Sequence, residues 1–481
     1  MNDATPNRPT LRKARTGIPG LDEITLGGLP AGRPTLVCGG PGSGKTLLGI
    51  SFLVNGAVLF DEPGVLMSFE ENAQELAQDV ASLGFDLAGL VEKKRLVVDY
   101  VHIDRSEIEE TGEYDLEGLF VRIEHAVKTV GAKRVLLDTI DSLFAGLPNE
   151  TILRAELRRL FRWLRDRNLT VVITGEMGET TLTRHGLEEY VTDAVIQLDH
   201  RVLNQISTRR LRVVKYRGSY HGTNEYPFLV DEDGVSVLPL TSLALQHEAP
   251  AERVSSGLER LDEMLGGQGY YRGSTVLVSG TAGTGKTTFA AHFADAACKR
   301  GERCLYFLSE ESPQQMLRNM RSAGLDLERW VDGGQLGFHA DRPSRYGLET
   351  HLVMMHRTVE RIRPNVVVID PMTNLLTVGT QMDVRAMLTR MIDFLKMRNV
   401  TAVFTGLTSA GSDLETTETI ISSLMDVWVV TSLEEFERRR RRWMYVLKSR
   451  GMAHSDEMRE FRITSGGIDI LPPHTAEGGG R

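Results

Sequence analysis

The chain has 481 residues, 41% of them hydrophobic and 25% charged, with a formal net charge of −9. These ordinary values exclude a disordered chain, a collagen and a membrane bundle. Its three cysteines, Cys38, Cys298 and Cys304, are too few for a disulfide framework and suit a reducing cytoplasm.

The opening segment, MNDATPNRPTLRKAR, has no apolar stretch of the kind a secretory leader needs. No apolar run approaches the ~20 residues that span a bilayer. A cytoplasmic protein without a membrane segment is expected. Neither half of the chain is basic, so nucleic acid is not an expected partner.

The first buried strand is expected at TLVC (35–38). It feeds GGPGSGKT (39–46), which fits G-x-x-x-x-G-K-[ST]. Glycines in that pattern let successive backbone N–H groups turn onto phosphate oxygens. The helix that follows points its positive end at the same anion. Gly42, Ser43, Gly44, Lys45, Thr46 and Leu47 are therefore expected to hold nucleotide. Lys45 reaches the β- and γ-phosphates, and Thr46 meets Mg²⁺.

Next comes an apolar run at 65–67 and the pair Glu70 and Glu71 in FEEN. A carboxylate at a strand end can take a proton from water or a hydroxyl. The plainer alternative is an inert carboxylate at a helix N-terminus. VLLD (135–138) ends in Asp138, a candidate support for Mg²⁺. TVVITGE (170–176) and KYRG (215–218) close the series.

After a polar stretch at 241–252, the series repeats. The leader GIPGLD (17–22) is matched by GLERLD (257–262). A strand at 275–278 feeds GTAGTGKT (280–287), which places Gly283, Thr284, Gly285, Lys286, Thr287 and Thr288 on a second nucleotide. SEES supplies Glu310 and Glu311, VVVID ends in Asp370, and TAVFTGL (401–407) and KSRG (448–451) follow. The catalytic candidates are thus Glu70, Glu71, Glu310 and Glu311, and the metal candidates Thr46, Asp138, Thr287 and Asp370. The expected fold is α/β: two tandem P-loop NTPase domains, 1–245 and 246–481, each a mostly parallel twisted sheet flanked by helices.

The doubled order of leader, phosphate loop, glutamate pair, aspartate and K-x-R-G resembles the KaiC family, RecA-superfamily ATPases and autokinases of the cyanobacterial clock. The resemblance covers residues ~12–470, and its most specific pieces are KYRGSYH (215–221), EYPF (225–228) and RVSSGLERLDEMLGG (253–267). It implies that the two tandem P-loop NTPase domains are RecA-like, and that six copies form a homohexamer of two stacked rings with ATP and Mg²⁺ between subunits. It also implies that Lys215, Arg217, Ser219 and His221 act on a neighbour's nucleotide in the first ring, and Lys448, Arg450 and His454 in the second. Met452 stands where the first copy has Ser219. Arg385, Ser82 and Ser322 fall at family positions near the nucleotide. The family's autophosphorylated pair falls on Ser422 and Ser423. The resemblance thus implies serine/threonine autokinase activity in the second domain and a signalling or timing role, with a KaiB-like protein or a signalling protein as partner. Only a short stretch follows ITSGG (463–467), so KaiA-type binding is not expected.

Five arginines, 438–442, precede WMYV. Beside aromatics they suit single-stranded nucleic acid, the mark of a RecA-like DNA-dependent ATPase of recombinase or helicase type. A charged hairpin turn is the simpler expectation. A third reading is a non-catalytic scaffold that assembles on ATP; the retained glutamate pairs argue against it.

Overall fold

The runs TLVC and TVLV become the central strands of two sheets built to one plan. The computed structural model describes residues 11–101, 117–144, 150–178, 181–184, 192–203, 206–232, 234–239, 250–408, 423–436 and 439–473. The chain divides into two compact units, Met1–Ser242 and Leu243–Arg481. The expected boundary at 245/246 lies outside the described residues, as do residues 1–10 and 474–481.

In the first unit the strands of the main sheet are β1 (Pro34–Gly39), β2 (Gly64–Ser68), β3 (Leu96–Tyr100), β4 (Arg134–Asp138), β5 (Thr170–Glu176), β6 (Ala194–Leu203), β7 (Ile206–Tyr216), β8 (Glu225–Asp231) and β9 (Gly234–Val237). They lie in the order β9-β8-β7-β6-β1-β5-β4-β2-β3. The strands from β6 to β3 are parallel, and β7, β8 and β9 are antiparallel additions. The second unit repeats this with β10 (Thr275–Gly280), β11 (Cys304–Leu308), β12 (Leu336–Ala340), β13 (Val366–Asp370), β14 (Thr401–Leu407), β15 (Val427–Phe436), β16 (Arg439–Ser449), β17 (Arg459–Thr464) and β18 (Gly467–Ile470). Their order is β12-β11-β13-β14-β10-β15-β16-β17-β18, the same path read from the other end.

Every residue of β1, β2, β4, β10, β11 and β13 is buried. Both faces of such strands are covered, which explains why they read as unbroken apolar runs rather than as alternation. In the first unit Leu66, Leu136 and Val172 pack with Leu48 and Phe52 of helix α1 (Lys45–Leu59) on one face. Val65, Val135 and Val171 pack with Leu157, Leu160 and Phe161 on the other. The second unit's glycine loop likewise opens helix α2 (Lys286–Lys299). The three cysteines are buried, and none of them forms a disulfide. Among the described residues, no helix is long and apolar enough to cross a membrane.

One core residue breaks the apolar rule. Arg134 is only 1% exposed. Its guanidinium donates to Glu62 Oε2 at 2.7 Å and to the carbonyls of Phe52 and Arg15, each at 2.8 Å.

The arginine run departs from the expected turn. Arg439 to Arg442 lie inside β16, opposite β15, where Glu435 faces Arg440 and Glu434 faces Arg441. Opposite charges across an antiparallel pair stabilise the hairpin, which accounts for the run. Arg438 lies outside the described residues.

Candidate functional site

Each glycine loop joins the C-terminal edge of a central strand to a helix, so the local chain path sets the site. Gly44 and Gly285 are the caps before α1 and α2, each with φ of 99°, a region that favours glycine. A Cβ at 285 would also stand 2.7 Å from Ile463 Cδ1. Lys45, Thr46, Leu47, Lys286, Thr287 and Thr288 occupy the first helical turns, where backbone N–H groups lack intrahelical partners. Ser43 and Thr284 are buried inside the loops.

The loop lysines fold back onto their own loops. Lys45 Nζ donates to the carbonyls of Gly39 and Gly40 at 2.9 and 3.0 Å, and Lys286 Nζ to that of Thr281 at 2.8 Å. Burial holds the Lys286 ammonium below its usual pKa, against the pull of Asp370 and Glu310.

The structure brings the metal candidates together in pairs. Thr46 hydrogen-bonds Asp138, and Thr287 Oγ1 donates to Asp370 Oδ1 at 3.3 Å. Burial pushes both carboxyls above the ordinary aspartate range, and hydroxyls offset this. Thr174 donates to Asp138; Thr405 and Tyr306 donate to Asp370. A hydroxyl beside a carboxylate is a set of hard oxygen donors, the kind Mg²⁺ takes along with nucleotide phosphates.

The glutamates lie outside the helices that follow them. Asn72 caps one and Ser312 the other, so the glutamates are not inert first-turn carboxylates. Glu70 Oε1 accepts from Thr139 Oγ1 at 2.9 Å and from Ser142 Oγ at 2.7 Å. Asn374 Nδ2 donates to Glu310 Oε1, and Asn319 Nδ2 to Glu311 Oε2, both at 3.1 Å. Burial raises the Glu71 carboxyl, and the nearby Asp79, Asp138, Glu70 and Glu75 add to the shift.

The K-x-R residues sit elsewhere. In the first unit Thr35 pairs with Ala194, which pairs with Tyr216, while Lys215 faces Val195. Lys215 and Arg217 therefore lie at the edge where β1 begins, and the glycine loop starts where β1 ends, about 13 Å along the strand at ~3.3 Å per residue. The second unit repeats this: Lys448 faces Trp428, whereas Gly280 faces Thr431. Ser423 and Asp426 precede β15 and share the edge with Arg450, whose Nη2 donates to the Ser423 carbonyl at 2.6 Å. Ser422 lies outside the described residues.

Other candidates are placed as follows. Ser82 and Ser322 end the helices after the glutamate pairs, both exposed. Arg385 is exposed on the helix Gln381–Met397, and His454 is exposed beyond β16. Ser219 accepts from Lys13 Nζ at 2.7 Å, and the His221 ring stacks near Tyr216. The hydroxyls that hold the carboxyls were not anticipated from sequence, although Thr174 and Thr405 occupy the same place in the two matched strands.

The comparisons agree with this geometry. The family model described as "ATPase: KaiC" matches residues 14–242 and again 254–475. The chain is 54% identical over 471 residues to the circadian clock protein KaiC2 of Synechocystis sp., covering 98% of this chain and 83% of that protein. It is 36% identical over 463 residues to the circadian clock oscillator protein KaiC of Synechococcus elongatus, covering 96% of this chain and 89% of that protein. The two candidate sites share one plan, each with a loop lysine, a hydroxyl–carboxylate pair and a glutamate, and the chain belongs to the KaiC family of ATPases.

Proposed function

We propose that the first lobe hydrolyses ATP and that the second transfers the γ-phosphate of ATP to Ser423 and Ser422 of a neighbouring copy. The observation that carries this reading is the separation of strand edges. The loop lysines stand at one edge of each sheet, and the K-x-R residues with Ser423 stand at the other. A residue at the far edge is poorly placed for its own nucleotide and well placed for that of an adjoining subunit. A homohexamer of two stacked rings, with ATP between subunits, satisfies both edges at once. A clock or signalling role, with a KaiB-like or signalling partner, follows the relatives' names.

Lys45 and Lys286 bind the phosphates, and the neighbour's Lys215, Arg217, Lys448 and Arg450 complete the charge. Phosphoryl transfer depends chiefly on such positioning and charge stabilisation. Thr46 with Asp138, and Thr287 with Asp370, would hold Mg²⁺, which would neutralise further phosphate charge. Glu70 is fixed by Thr139 and Ser142 through Oε1, and we assign its other oxygen to the proton of water. Glu310, fixed by Asn374, takes the proton of the serine hydroxyl.

Mixing Lys286→Ala subunits with Ser422→Ala/Ser423→Ala subunits tests the reading. With labelled ATP and Mg²⁺, phosphoserine within 417–426 is expected only in the mixture. Label elsewhere, or none in the mixture, would sink it.

A further inference from the structure

Among the differences between the two sites, one falls in the crevice between glycine loop and aspartate and exchanges a carboxylate for an apolar side chain. β5 lies between β1 and β4, and β14 between β10 and β13. The last residue of each faces the last strand glycine before the loop: Glu176 faces Gly39, and Leu407 faces Gly280. Glu176 Oε1 is 3.6 Å from Lys45 Nζ, and its Oε2 is 3.8 Å from Arg184 Nη2. Its backbone N–H donates to Asp141 Oδ2 at 2.6 Å, which fixes the strand end. Leu407 is 39% exposed, an apolar surface where the first site has a carboxylate.

We propose that this position selects the acceptor: Glu176 admits and orients water in the first lobe, and Leu407 excludes it in the second, leaving a protein hydroxyl as the attacking group. The inference rests on the division of labour proposed above. In both lobes the bond from the γ-phosphorus to the ADP oxygen breaks. In the first lobe a bond forms to the water oxygen, whose proton passes to Glu70, and inorganic phosphate leaves. In the second the bond forms to the serine Oγ, whose proton passes to Glu310, and phosphoserine remains. A carboxylate held between two cations can accept a hydrogen bond from water and fix its approach. A leucine offers no acceptor, and its methyl groups displace water from the same place.

The full chain tests this in two backgrounds. In Lys286→Ala protein, phosphate release reports the first lobe. There Glu176→Leu and the near-isosteric Glu176→Gln are expected to lower kcat by about tenfold or more without raising KM for ATP, and Glu176→Asp to keep part of the turnover. In Lys45→Ala protein, Leu407→Glu and the uncharged Leu407→Gln are expected to raise the ratio of free phosphate to phosphoserine by about tenfold. Parental kcat in both Glu176 variants, or an unchanged ratio in both Leu407 variants, overturns the proposal. A Lys286→Ala protein with no phosphate release, or a Lys45→Ala protein with no phosphoserine, instead overturns the underlying division of labour, and this inference with it.

Discussion

The guanidinium of Arg450 donates to the backbone carbonyl of Ser423 at 2.6 Å. The Arg450 backbone N–H bonds the Asp426 carbonyl at 2.8 Å, and its Nη1 lies 3.9 Å from Asp426 Oδ1. The residue proposed to touch a neighbour's phosphates is thus tied to the residue proposed to receive one. A phosphoserine brings about −1.5 to −2 charges beside that arginine. Arg450→Ala should lower phosphoserine at 423 by roughly 100-fold, the scale of losing a charge-stabilising donor. Arg450→Lys should recover only part, since it keeps the charge and loses the planar fork. Phosphopeptide mapping measures both, and undiminished label in Arg450→Ala would separate the arginine from the transfer.

Arg134 gives a prediction about stability. Its three donors serve Glu62 and the carbonyls of Phe52 and Arg15, and its guanidinium lies 4.5 Å from the Phe52 ring centroid. Arg134→Met fills similar volume and leaves those acceptors without their donor. Removing one partner of a buried pair costs about 3 kcal/mol. All these contacts lie in the first unit, so calorimetry should show that unit melting earlier and the second little changed. A single unshifted profile would mean that the buried acceptors find other donors.

The second unit should be the more acid-sensitive. Burial lowers the His292 imidazole from 6.5 to about 4, with Asp295 pulling up and Lys299 pushing down. Its Nε2 accepts from the Ile468 N–H at 3.0 Å, which needs the neutral ring. Burial and Arg398 lower His356 to about 4 as well, where it stacks on Phe394. Between pH 6.5 and 4 the unfolded chain binds protons that the folded chain does not. Stability therefore falls as pH drops through that window and is fully present above it. His292→Gln keeps an acceptor for Ile468 and removes the titration. Its denaturation midpoint should change less between pH 7 and pH 5 than the parent's. Tryptophan fluorescence suits the measurement, since Trp330, Trp428 and Trp443 are in this unit and Trp163 alone is in the other.

The parts of the candidate site that follow from chain-local rules are legible in the sequence. A strand, a glycine loop and a helix are contiguous, so Lys45 and Thr46 could be placed from spacing alone. Asp138 and Asp370 could be found because buried parallel strands read as apolar runs that stop at a charge. The hydroxyls on those carboxyls were not legible, because Thr174 and Asp138 meet across neighbouring strands. The same holds for Ser142 on Glu70, 72 residues apart in sequence. The far-edge position of Lys215 depends on β7 running antiparallel beside β6. The arginine run was misplaced in a turn because its partners, Glu434 and Glu435, acquire meaning only through strand register.

That register leads to a prediction about the second glycine loop. Arg442 Nε donates to the carbonyl of Gly283 at 3.2 Å, and Arg441 Nη1 lies 3.2 Å from Glu460 Oε2. The last arginine of the run therefore supports the loop, while Arg440 and Arg441 face Glu435 and Glu434. A hydrogen bond from a charged donor contributes about 1.5 kcal/mol, or roughly tenfold in an equilibrium. In Lys45→Ala protein, Arg442→Ala should weaken binding of a fluorescent ATP analogue by about three- to tenfold. Arg440→Ala, opposite Glu435 and away from the loop, should weaken it less than about twofold, as for an exposed pair. A nucleic-acid patch would behave otherwise. Arg440→Ala and Arg442→Ala would then both cut salt-sensitive retention on single-stranded DNA and leave the ATP analogue alone. Glu434, Glu435 and Glu460 already offset Arg440 and Arg441, so the nucleotide, not a polyanion, is the ligand that Arg442 should affect.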